Sequence, residues 1–350
     1  MRLFGRDGES GGAEGSAEGI AAFWAWWEQA RPGLGPLVGT GDVTGLAERV
    51  EPAVAALDPS LVWDVVPGTT ARHALVVSAG GDPELRPLAH RWARAAPPAD
   101  ADWEYHPSRP AGADVSALVL DVAGRAFSLD KLVLGLRVPN GSPRVDVSVY
   151  HPLFPDLDDD TRMEAAVLAL DSVLGEDEVA RWVGDIVAAG FEPIDAVSAV
   201  HLPAVVADLA SGYQDEQWAL MEGQTATGAR LLATVRHPLR PVDHPLFDQH
   251  VTVTLPYDDS DEDGLPAGGS AAALLAFEER LSGLLDGLRG DALLALHMST
   301  EGARVYHVYA DPDSDAASRV EELAATWREG TPTVDVAPDP GWLVVSPFLS

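Results

Sequence analysis

No cysteine occurs in the 350-residue chain. That removes disulfides, thiol nucleophiles, zinc–thiolate sites and iron–sulfur ligation together. Lysine is nearly absent as well: Lys131 is the only one, and arginine supplies the remaining positive charge. Against 23 Lys and Arg stand 55 Asp and Glu, a formal net charge of -32. Such a field repels phosphate backbones and anionic lipid, so neither direct nucleic-acid binding nor membrane binding is expected. No apolar run reaches the roughly 18 residues needed to span a bilayer. Residues 1–19 also lack the apolar core of a secretory signal, and a cytoplasmic protein is the expectation.

What is present is apolar content of 46%, in a chain too long for one core, which predicts two domains. Residues 1–19 are rich in Gly, Ser and Glu and read as a disordered tail. Residues 20–212 read as an α+β domain with an antiparallel sheet, and 213–350 as a second domain. Ile20, Phe23, Trp24 and Trp27 recur at helical spacing in a helix expected to end before Pro32. That stripe is either core packing or a partner anchor. Asp82 and Pro83 are the expected start of a helix whose buried face is Leu85, Leu88, Ala89 and Trp92. A strand over 117–122, a hairpin over 132–138 and 144–150, and a helix stopped by Gly175 follow.

In the second half, strands are predicted over 217–222, 230–236 and 249–256. A helix bears Leu274, Phe277, Leu281 and Leu285, a hairpin follows over 292–298 and 303–309, and then a helix bears Val320, Leu323, Ala324 and Trp327. Strands over 333–336 and 342–345 close the chain. The order β-α-β-β-α-β suits a ferredoxin-like split β-α-β sandwich with extra strands. The spacing Leu85-x-x-Leu88-Ala89-x-x-Trp92 recurs as Val320-x-x-Leu323-Ala324-x-x-Trp327. Duplication and a shared packing solution explain that echo equally.

Several motifs lie in order through this half: Gly264-Leu265-Pro266, Phe277-Glu278, Thr300-x-Gly302-x-Arg304-x-Tyr306 and Asp339-Pro340-x-Trp342. On these residues the region from about 218 to 348 resembles the domain of unknown function 695 family. That family is found in bacterial proteins and is sometimes joined to modules resembling the regulator of ribonuclease activity B. The resemblance implies a small α+β sandwich and assigns no reaction, ligand or catalytic residue. Trp63-x-x-x-Pro67-Gly68, Trp103-Glu104 and Leu174-Gly175-Glu176 match segments that accompany the family.

Among candidate chemistries, Asp259-x-Asp261-x-Asp263-Gly264 copies the start of a calcium loop. Position twelve is Ser270 where a glutamate is needed, so a solvated connection is the stronger reading. His237, Asp243, His244, Asp248 and His250 are metal-ligand types gathered in a short segment, at a spacing that fits no recognised site. The glycines Gly33-x-Gly35-x-x-x-Gly39-x-Gly41 follow a helix where a dinucleotide loop follows a strand. No P-loop occurs, and the single lysine, Lys131, is not in a Gly-rich setting. On one strand, period two places Arg304 and Tyr306 on one face and His307 and Tyr309 on the other. An open face there suits a partner or ligand; cross-strand pairing is the competing reading. Trp342 is expected to close over the core at a turn.

The leading expectation is a non-catalytic partner-binding or regulatory module that takes a protein partner and no cofactor. The alternative is a metal-assisted hydrolase using the histidines of 237–250.

Overall fold

The computed structural model describes residues 11–213, 217–288 and 290–350. The expected tail lies outside the described residues up to position 10, and from Gly11 onward the chain is helical. Contacts divide the chain into two compact units, Met1–Leu129 with Glu164–Ala180, and Asp130–Met163 with Arg181–Ser350.

In the first unit, α1 (Gly11–Thr40) buries the predicted stripe of Ile20, Phe23, Trp24 and Trp27. It runs on through Pro32 and Pro36 instead of ending before them. Each proline removes one backbone donor, but Leu34 between them is fully buried, and that packing holds the helix together past them. Helix α2 (Val43–Ala55) starts at Asp42, whose carboxylate accepts the Gly45 N–H. Strand β1 (Val62–Pro67) pairs antiparallel with β2 (His73–Ser78). After α3 (Arg86–Arg94), β3 (Trp103–His106) lies parallel to β2, so the sheet expected to be antiparallel is mixed. A helical crossover returns the chain in the same direction and so permits that pairing. Helix α3 begins at Arg86, not after Asp82, because the Asp82 side chain closes a local turn on the Glu84 N–H. The core gives both indole donors a partner: Trp24 Nε1 donates to the Trp92 carbonyl of α3 at 3.0 Å and Trp27 Nε1 to the Tyr105 hydroxyl of β3 at 2.8 Å. Strand β4 (Val119–Val122) has a partner the sequence did not reveal, β5 (Arg125–Ser128), across a turn with positive φ at Ala123 and Gly124.

The second unit opens with the predicted hairpin, β6 (Val133–Arg137) and β7 (Val145–Tyr150). Helix α4 (Asp159–Leu174), which from Glu164 onward belongs with the residues up to Ala180 to the first unit, ends at Gly175, whose φ of +89° is left-handed. Beyond it come α5 (Glu176–Trp182), β8 (Val183–Ala188) parallel to β7, β9 (Val197–Ser198) against β6, and α6 (Leu202–Ser211).

Strands β10 (Gln217–Gln224), β11 (Arg230–His237) and β12 (Gln249–Pro256) precede α7 (Gly268–Gly287). The hairpin β13 (Ala292–Thr300) and β14 (Ala303–Ala310), α8 (Ala316–Ala324) and β15 (Thr333–Pro338) complete a six-stranded antiparallel sheet, in the order β10-β11-β13-β14-β12-β15. Leu274, Phe277, Leu281 and Leu285 of α7 and Val320 and Ala324 of α8 pack on Val251, Val253, Leu255, Tyr306 and Val308. The other face carries Ala233, Val235, Leu293 and Tyr309 beneath Leu239, Phe247, Trp342 and Val345. Both sides of the sheet centre are therefore covered. The strand predicted over 342–345 is instead a 3-10 segment, Leu343–Phe348. Asp339 accepts the Leu343 and Val344 N–H groups, which withdraws them from any ladder. Among the described residues no helix is long and apolar enough to cross a membrane.

Candidate functional site

The facing of β14 follows the period of two, but its faces are not open. Tyr306 is fully buried in the core under α7 and α8, and Tyr309 is fully buried in the core beneath Trp342. Arg304 pairs with Glu278 at 3.4 Å and donates to Ser299 Oγ at 2.8 Å. His307 is buried against His250, with 3.0 Å between His307 Nδ1 and His250 Nε2. The cause is position: β14 lies between β13 and β12, away from both sheet edges.

The five ligand-type residues at 237–250 separate in the same way. His237 contacts Ser350 Oγ through Nδ1 at 3.3 Å. Asp243 pairs with Arg181 and Arg240. His244 stacks between Phe247 and Trp342. Asp248 accepts the Asp339 N–H at its carbonyl. His250 stacks between His307 and Tyr309. Among the described residues no group of three or more His, Asp or Glu is arranged to hold a metal ion.

The motif residues in this half hold turns and pairs. Gly264 has φ +76°, and a Cβ there would lie 3.3 Å from Glu301 backbone atoms; its carbonyl accepts the Tyr257 hydroxyl and the Gly302 N–H. Asp259 accepts the Gly269 N–H and Asp261 those of Asp263 and Leu265, while Asp263 pairs with Arg230. The calcium-like spacing thus serves a loop that closes on itself and on β11.

The accessible feature of this sheet is its β10 edge. Trp218 and Leu220 project from one side of that strand and Met221 from the other, at 40%, 71% and 44% exposure. Among the described residues, no strand pairs with the outer side of β10. The far end of the hairpin opens into a depression lined by Glu222, Gln224, Arg230 and Asp263. The opposite edge, β15, exposes a single large apolar side chain, Val336, beside Asp335, and ends in Pro338.

In the first unit, charged groups gather where β2 and β3 end, the strand ends at which α/β units place their sites. Arg86 and Ser108 bind Asp177, Arg109 binds Asp64 at 2.7 Å, and Glu176 accepts the Gly81 and Arg109 N–H groups. Burial, then the charge of Glu176, pushes the Asp171 carboxyl up to about 7. His90 is pushed down to about 4, chiefly by burial. Arg86, Ser108, Arg109, Glu176 and Asp177 thus each have a protein partner, the pattern of a structural ion-pair network with one proton-holding carboxyl. Sequence reasoning missed this group because its members come from separate segments with no shared spacing.

The model of a family of unknown function (DUF695) matches residues 238–350, which include β12 through β15 and the C-terminal 3-10 segment. No curated protein and no solved structure matches the chain.

Proposed function

We propose that the protein is a non-catalytic, cytoplasmic partner-binding module in which β10 receives an extended segment of a basic protein partner as an added strand. The observation that carries this reading is the contrast between the two edges of one sheet. An edge strand offers unpaired backbone donors and acceptors, and proteins ordinarily blunt it with charge or proline. Here β15 exposes one large apolar side chain, Val336, beside Asp335 and ends in Pro338, while β10 presents Trp218, Leu220 and Met221 to solvent. Backbone pairing would supply affinity, and the exposed side chains would select apolar residues at alternate positions. Glu222 and Asp263 at the strand end, within a chain of net charge -32, favour a basic partner and work against a second copy. We further read the part built from β12, α7, β13, β14, α8 and β15 as a ferredoxin-like split β-α-β sandwich, supported by its strand order β13-β14-β12-β15.

The test is a panel of strand-length peptides with apolar residues at alternate positions, in basic and acidic versions, titrated against the full-length protein by fluorescence anisotropy. Saturable binding of basic peptides, with slowed amide exchange over 217–224 and loss in Leu220→Glu, is expected. No saturable binding, or binding that Leu220→Glu leaves intact, would overturn it. So would a dimer held by β10.

A further inference from the structure

Arg181 and Arg240, from two segments of the second unit, close on Asp243, and Arg144, from a third, lies beside the first of these segments at Val183. Arg181 Nε lies 2.5 Å from Asp243 Oδ1, and Arg240 Nε lies 2.8 Å from Oδ2. The Arg240 guanidinium carbon sits 4.2 Å from the centroid of the Trp182 ring, a cation–π contact that sets the plane of its donors. Arg144, next to the start of β7, donates through Nη1 to the Val183 carbonyl at 3.4 Å. Burial lowers its pKa, the charge of Arg240 lowers it further, and Asp243 opposes both, which places Arg144 within the electrostatic reach of the other two.

The cluster leaves donors unmet. The Arg240 side chain is only 7% exposed, yet among the described residues its Nη1 has no hydrogen-bond partner, and the buried Nε of Arg144 has none either. Guanidinium groups keep their charge at any ordinary pH, so these are charged donors without an acceptor, a rare condition in a folded interior. Asp243 has committed one oxygen to Arg181 and the other to Arg240. A chain with 55 Asp and Glu had carboxylates to spare for closing the cluster, and none of the described ones hydrogen-bonds to these two atoms. The group still reaches solvent, because the side chains of Arg181 and Asp243 are 23% and 27% exposed.

Planar guanidinium donors match the oxygen geometry of phosphate better than any other side chain. We propose that Arg144 and Arg240, framed by Arg181 and Trp182, form a binding site for the phosphate group of a small anion, either inorganic phosphate or a phosphate monoester. The acidic field elsewhere on the chain excludes long polyanions and leaves a single small anion as the occupant. Nothing in this site depends on the β10 edge.

The experiment is calorimetric titration of the full-length protein with inorganic phosphate, with O-phosphoserine as the monoester, and with acetate, all at matched ionic strength in chloride buffer. Saturable heat with phosphate, phosphoserine or both, and none with acetate, is expected. Arg144→Gln and Arg240→Gln should each weaken binding at least tenfold. Arg137→Gln, which alters a 74% exposed arginine paired with Asp146, should leave it unchanged. If Arg240→Gln fails to fold, Arg144→Gln decides, with its fold checked by circular dichroism. Absence of saturable binding, equal binding of acetate, or full affinity in folded Arg144→Gln would overturn the proposal.

Discussion

The Tyr309 hydroxyl donates to Asp339 Oδ2 at 2.6 Å, from a ring stacked 3.9 Å, centroid to centroid, on Trp342. One carboxylate thereby ties the centre of the sheet to the C-terminal turn, because Asp339 also accepts the Leu343 and Val344 N–H groups. Burial and the Asp339 charge both push the Tyr309 pKa up, so the hydroxyl stays a donor throughout the working pH range. Tyr309→Phe keeps the stack and removes one charge-assisted bond from a buried carboxylate. Urea unfolding should show a loss of about 2 kcal/mol. A loss below a few tenths would mean that Asp339 is held by its backbone donors alone.

Acid should begin to destabilise the protein above the pH at which ordinary carboxylates titrate. His307 is pushed down to about 4 by burial and then by His250, and His244 and His90 reach about 4 chiefly through burial. Their folded pKa values lie below the ordinary value of about 6.5. The unfolded chain therefore takes up protons first as pH falls. The stability attributable to these histidines is complete above about 6.5 and declines towards 4, by at most about 1.4 kcal/mol per pH unit for each. Urea midpoints measured across this window should fall, and His307→Phe should flatten the decline. An unchanged slope in that variant would remove His307 from the account.

Asp171 acts in the opposite sense. Its folded pKa, about 7, lies above the ordinary carboxyl value of about 3.9, so the folded state holds the proton more tightly. Stability attributable to this group declines as pH rises from about 4 to 7 and is level beyond that. Asp171→Asn should gain on the order of 2 kcal/mol at pH 8 and little at pH 4. Thermal unfolding at the two pH values checks it, and an equal change at both would show that the carboxyl is not protonated in the fold.

Glu104 anchors the loop between β1 and β2. It accepts the N–H groups of Thr69, Thr70 and Ala71 and both threonine hydroxyls. Burial works against its charge, but these donors and His106 outweigh burial and hold the pKa far below the usual carboxylate range. Its contribution is present above about pH 4.3 and is lost as pH falls below that. Glu104→Gln turns a donor towards donors and should cost about 3 kcal/mol at pH 7, with a smaller difference in strong acid. Chemical denaturation at both pH values measures it.

Local patterns were legible wherever the chain's own neighbours decide the outcome. The stripe from Ile20 to Trp27 is buried as its spacing predicts, and β14 alternates as read. The α3 start was misread because Asp82 serves a turn as well as it would serve a cap. The echo between Leu85–Trp92 and Val320–Trp327 hides a difference in topology. Strands β2 and β3 are direct parallel neighbours, whereas β12 separates β14 from β15. Spacing along one helix carries no information about which strands flank it.

By itself the sequence determined the absence of cysteine chemistry, the acidic field, the α+β character and the faces of individual strands. These follow from composition and from periods of two and 3.6, which neighbouring residues impose on one another. The tertiary structure decided that Tyr306 and Tyr309 are buried while Leu220 is exposed, that Asp171 feels the charge of Glu176, and that Arg181 and Arg240 meet at Asp243. Each of these depends on groups brought together from distant segments. Burial and electrostatic coupling are set by distance in space, which separation along the chain does not encode.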